Sequence, residues 1–128
     1  MATQLTRTMT DLLAENPAKH FRPCAYYDKH LDCIRVQIRD CSFAEIRLDE
    51  IFTMYQANHT REYIGFSIKG VRFLFEKLGL STHGPLILAE IIDGIVKTNP
   101  DSLVDLIRRE FIETLTLEVD DLQDVEAA

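Results

Sequence analysis

The feature that most constrains the fold is an alternation running through residues 33–48. Ile34, Val36 and Ile38 alternate with Arg35, Gln37 and Arg39, and after Asp40-Cys41-Ser42 the residues Ala44, Ile46 and Leu48 alternate with Glu45, Arg47 and Asp49. A period of two places branched apolar side chains on one face of a strand and polar ones on the other. Two such runs in succession require a sheet with one buried face. A slip of one residue would turn one apolar set to solvent, so the runs are expected to form a hairpin with a three-residue loop. Ile38 then faces Ala44, Val36 faces Ile46 and Ile34 faces Leu48. On the polar face Arg35 meets Arg47, with Glu45 and Asp49 flanking the like charges.

The same parity continues through Phe52 and Met54, with a break at Glu50, the misfit on the apolar side. Residues 57–61 have turn composition. Ile64, Phe66 and Ile68 form the last strand, and Gly65 within it signals a bulge or a close backbone approach. At Gly70 the period becomes helical, with Val71, Leu74, Phe75 and Leu78 on one side and Gly79 as the stop. A second helix is expected from Pro85 to about Lys97. Its aliphatics (Leu86, Ile87, Leu88, Ile91, Ile92, Ile95, Val96) leave it apolar nearly all round. A third begins with Asn99 as N-cap and Pro100 in the first turn, and its buried stripe is Leu103, Ile107 and Phe111, with Val104 beside it. Leu115, Leu117 and Val119 alternate with polar neighbours, which reads as a strand over 113–119. Residues 120–128 read as a frayed acidic tail. Before the sheet, Leu5, Met9, Leu12 and Leu13 mark a helix over 1–17, and 18–26 reads as a linker. The fold class expected is α+β: an antiparallel sheet of three to four strands over 27–70, with helices over 70–112 packed on one face.

Tyr27-Asp28, Leu31-Asp32, the alternating strand ending at Ile38, Glu45, Leu48-Asp49 and Tyr63-Ile64-Gly65 together resemble a bacterial family known as domain of unknown function 2283. The resemblance covers residues 27–70, about a third of the chain. Lys29 stands where that family usually carries proline, and the long helical addition is a further departure. The resemblance implies a small antiparallel sheet and no activity.

At 128 residues the chain suits one domain able to bury a core. No apolar run approaches a membrane span, and the N-terminus has no signal-peptide pattern. Three cysteines without motif spacing fit a reducing compartment, so a cytoplasmic location is expected. The net charge of −7 is unevenly spread: residues 1–80 carry +1 and residues 81–128 carry −8. An acidic chain of this kind disfavours nucleic acid as a partner. Arg35, Arg39 and Arg47 read as a solvated sheet face.

Asp28, His30 and Asp32, spaced by two, would share one face if extended and are candidate ligand-binding residues. No second cluster completes four ligands, so no metal and no cofactor is expected. His83, in Ser-Thr-His-Gly-Pro ahead of a helix, is a further ligand candidate. Cys33 and Cys41 sit beside carboxylates, which disfavours the thiolate and makes both structural. Glu45 and Glu50 form an acid–base pair only if one pocket joins them. No nucleotide-binding, nucleophile-elbow or zinc-protease motif occurs, which counts against an enzyme. The function expected is a protein-interaction or scaffold module acting as a homodimer, with Ile87, Ile91, Ile95, Leu115 and Leu117 as interface candidates. The alternative is a small ligand-binding protein or enzyme using the Asp28/His30/Asp32 end of the sheet.

Overall fold

The computed structural model describes residues 21–127; the helix expected over 1–17 lies outside them. The fold is α+β. Strands β1 (Cys24–Asp28), β2 (Cys33–Gln37), β3 (Phe43–Arg47), β4 (Phe52–Ala57) and β5 (Tyr63–Lys69) form one antiparallel sheet of five strands in the order β1-β2-β5-β4-β3. Helices α1 (Val71–Leu78), α2 (Leu88–Thr98), α3 (Val104–Glu110) and α4 (Asp124–Ala127) follow, with a 3₁₀ turn at Ile112–Thr114. The sheet exceeds the three to four strands expected because β1 comes from the stretch read as a linker. There Ala25 and Tyr27 are buried while Tyr26 is exposed, an alternation too short to recognise.

The expected β2–β3 hairpin does not form. β2 pairs with β1 and β5, and among the described residues β3 pairs only with β4. The face assignment nevertheless holds. Ala25, Val36, Phe66, Met54 and Ile46 stand in one row across the sheet, and Tyr26, Arg35, Ser67, Thr53 and Arg47 stand in another. Val36 and Ile46 therefore share a row, as parity requires, but Phe66 and Met54 lie between them. Ser67 and Thr53 likewise keep Arg35 from Arg47, which removes the like-charge contact. Parity specifies the face of a side chain and says nothing about which strand lies next to it. β5 takes the centre because Ile64, Gly65, Phe66, Ser67 and Ile68 are all buried, which only a strand covered on both faces permits.

Gly65 is both a bulge site and a close approach. The β4–β5 register slips between Tyr55 and Gln56, leaving Ile64 as the extra residue. Tyr63 thus packs with the main core, while Ile64 joins Tyr55, Ala57 and Phe43 on the opposite face. Phe43 stacks on Tyr55 with ring centroids 4.6 Å apart. The main core lies between the sheet and the helices. Phe52, Phe66 and Phe111 form an aromatic chain through it, with centroids 6.3 and 4.9 Å apart.

α1 runs as the period predicts and ends at Gly79, whose left-handed backbone (φ 65°) lets its N–H reach the carbonyls of Phe75 and Glu76. α2 starts at Leu88 and not at Pro85. Ile87 is extended (φ −94°, ψ 158°), and the Glu90 carboxylate accepts its N–H at 3.1 Å. Gly94 lies against α1: a Cβ there would meet Leu78 Cδ1 at 2.8 Å, the tip of a flexible side chain. Gly94→Ala should therefore leave urea stability within about 1 kcal/mol of wild type, the helix-propensity gain offsetting the crowding.

Asn99 does not open α3. It ends α2, and Leu103 precedes the first turn of α3 with no side-chain cap of its own. The cap comes from the β3–β4 turn: Asp49 Oδ2 accepts Leu103 N–H at 2.9 Å and the Ser102 hydroxyl at 3.0 Å. The buried stripe is Val104, Ile107 and Phe111, and Leu103 is 48% exposed. Residues 113–119 are not a strand. The segment turns through the 3₁₀ helix and then makes two isolated bridges, Ile87 with Glu118 and Tyr26 with Asp120. The acidic tail is docked, with Leu122 and Val125 buried in the main core.

Candidate interaction surface

Asp28 ends β1 and Asp32 ends the β1–β2 turn, and each is engaged structurally. Asp28 accepts the His30 N–H at 3.0 Å and pairs with Arg35 Nε at 3.2 Å. Burial would raise its carboxyl, but these partners outweigh burial and hold it below its ordinary range. Asp32, left-handed at φ 49°, accepts the Tyr27 hydroxyl at 2.7 Å and the Arg72 N–H at 3.1 Å, which caps α1. Burial and the Asp32 carboxylate push the Tyr27 phenol well up. Residues 29–32 form a turn, so Asp28, His30 and Asp32 do not share a strand face, and His30 is exposed. His83 is also exposed; it lies 3.3 Å from Glu126 of the docked tail and opens no helix. Glu45 and Glu50 border different clefts and do not form a pair. Burial raises the Cys33 thiol.

The interface candidates on α2 are committed elsewhere. Ile91 and Ile95 are fully buried in the chain's own core, and Leu86 and Val96 pack against it from the flanks. Leu115 and Leu117 also pack on that core, and Ile87 is half-buried. The helix is apolar nearly all round, and the chain's own core receives most of that surface. Five strands present enough apolar surface to accept it.

What the sheet leaves available is an edge. At the β1 edge, Tyr27 N–H donates to Asp120 O and Asp120 N–H to Ala25 O, both at 2.9 Å. The C-terminal segment therefore closes that edge from within the chain, and Val119 N–H continues the contact to Leu86 O at 2.9 Å. Among the described residues the β3 edge has no such cover: Ala44, Glu45, Ile46 and Arg47 are all exposed. Leu48 N–H donates to Phe52 O at 3.0 Å and Asn58 N–H to Ser42 O at 3.2 Å. Bonded pairs alternate along an antiparallel ladder, so Ala44 and Ile46 also direct their backbone groups to β4. Phe43, Glu45 and Arg47 direct theirs outward.

Sequence reasoning placed Glu45 and Arg47 on the polar face but could not show that they stand on a sheet edge. Among the described residues no helix is long and apolar enough to cross a membrane. Comparison with protein-family models, with curated proteins and with solved structures finds no match to this chain.

Proposed function

We propose that the protein is a non-enzymatic interaction module that acts as a homodimer, joined along β3 and not through α2. The observation that carries this reading is the self-complementarity of the open β3 edge. An antiparallel partner must match outward-facing backbone groups with outward-facing ones, so only registers that pair odd residues with odd residues are allowed. Centring on Glu45 sets two glutamates face to face, and centring on Arg47 sets two arginines face to face. Centring on Ile46 places Glu45 opposite Arg47 of the partner subunit on both sides of the dyad, with the two isoleucines in contact across it. That register alone among these pairs opposite charges, and it covers an edge that would otherwise invite uncontrolled pairing.

Strand pairing over so short an edge buries less than about 1,200 Å², so a weak, micromolar dimer is expected. Light scattering over a dilution series should show dimer dissociation. Glu45→Arg and Arg47→Glu should each weaken association about tenfold, because each places like charges opposite one another twice. The double variant should restore it, which a loss of folding would not do. A protein that stays monomeric to millimolar concentration, or a double variant no better than the singles, would remove the reading. A cytoplasmic location is part of the proposal and is supported by three unpaired thiols, Cys24, Cys33 and Cys41.

A further inference from the structure

The face of the sheet opposite the main core carries a depression of about 280 Å³. Its floor is the cross-strand row in which Thr53 and Ser67 are neighbours, both about 4% exposed. Among the described residues the Thr53 hydroxyl has no hydrogen-bond partner. A buried hydroxyl without a partner is unfavourable in a folded core, and Val would fill the same volume without that penalty. The surrounding groups are rich in donors. Arg35 is fixed by Asp28 through Nε and by the Tyr55 hydroxyl, at 3.4 Å, through one terminal nitrogen, which leaves its other N–H groups unspent among the described residues. Lys69 also lines the depression and makes no ion pair among the described residues. Glu45 is the carboxylate of the lining, and Asp28 is held against Arg35 from outside it, which leaves Lys69 as the cation free to meet an anion among the described residues.

We infer that this depression is a binding site for a small ligand carrying an oxyanion, either a carboxylate or a phosphate monoester. Arg35 and Lys69 supply charge-assisted hydrogen bonds, and the Thr53 hydroxyl, buried in the floor, gains the partner it lacks on a side-chain rotation toward the depression. The site rests on the orphaned hydroxyl and its cationic neighbours and does not depend on pairing along β3.

The test is a two-dimensional ¹H–¹⁵N titration of the full chain at constant ionic strength, with inorganic phosphate in one arm and succinate in the other. The expected result is a saturable shift in at least one arm, confined to the amides of Arg35, Thr53, Ser67, Lys69 and their neighbours. The arm that responds identifies the class of anion. Thr53→Val should weaken that binding about tenfold, as should Lys69→Met. Thr82→Val, at the other unpartnered buried threonine, should leave it unchanged. The thermal midpoint of Thr53→Val without anion should rise by about 4 °C, which also shows that the variant folds. Shifts that stay linear in both arms, or Thr53→Val binding as wild type does, would overturn the site.

Discussion

Asp49→Ala should lower the stability of the fold by about 3 kcal/mol, read as a fall of about 10 °C in the thermal midpoint. One carboxylate holds two elements together. Oδ1 accepts the N–H of Ile51 at 2.8 Å and of Phe52 at 2.7 Å, closing the β3–β4 turn, while Oδ2 takes Ser102 and Leu103 at the start of α3. Removing it leaves a turn and a helix start without their acceptor. Burial alone would raise this carboxyl, but the three backbone donors and the Ser102 hydroxyl outweigh it and hold it below the usual carboxylate range. A depressed folded value means that the stabilisation is present above the unfolded value, about 3.9, and is lost as pH falls through the folded one. Urea midpoints measured from pH 6 to pH 2 should therefore fall on the acid side for wild type. Asp49→Asn should be weaker near neutrality and fall less steeply. The remaining slope includes Asp28, which is shifted in the same direction. An Asp49→Ala variant within about 0.5 kcal/mol of wild type would show that the four contacts are not coupled to folding.

Gly65→Ala should cost more, about 4 kcal/mol, and a larger side chain there should prevent folding. A Cβ at this position would stand 2.2 Å from the Val36 carbonyl oxygen, 2.9 Å from Tyr55 Cδ2 and 3.2 Å from Gln37 Cα. Two of these atoms are backbone of the neighbouring strand, so relief requires β2 and β5 to separate at the centre of the sheet. The tight contact at Gly94 differs in kind, because a leucine tip can rotate away. Paired urea curves for Gly65→Ala and Gly94→Ala therefore test whether the identity of the crowding atom sets the cost. Equal, small losses for both would refute that account.

Much of the architecture was legible in the sequence because short-range periodicity carries it. The alternation of residues 33–48 assigned faces correctly, so Arg35 and Arg47 share one side and Val36 and Ile46 the other. Gly65 signalled a bulge or a close approach, of which the fold has both, and the switch of period at Gly70 located α1 and its stop at Gly79. These features depend on a residue and its near neighbours in the chain. The order of strands does not. β5 enters between β2 and β3 because it is the strand that can be buried on both faces, a comparison across the whole sheet that no local pattern contains.

The helix starts make the same point. Asn99-Pro100 has the local form of an N-cap, yet α3 is capped by Asp49 and α1 by Asp32, each from a turn between strands. A hydrogen bond needs an acceptor close in space, and separation along the chain is irrelevant to it once the sheet has formed. For the same reason the alternation of Leu115, Leu117 and Val119 was real but did not make a strand. Its backbone groups bond to Leu86, Leu88 and Ala89 on one side, and the chain reaches the β1 edge at Asp120. The sequence by itself determined which face each side chain of residues 33–48 takes and where α1 begins and stops. Tertiary structure alone decided which strand edge is closed, which the described residues leave open at Glu45–Arg47, and where the Thr53 hydroxyl, unpartnered among them, lies, because each depends on contacts between segments far apart in the chain.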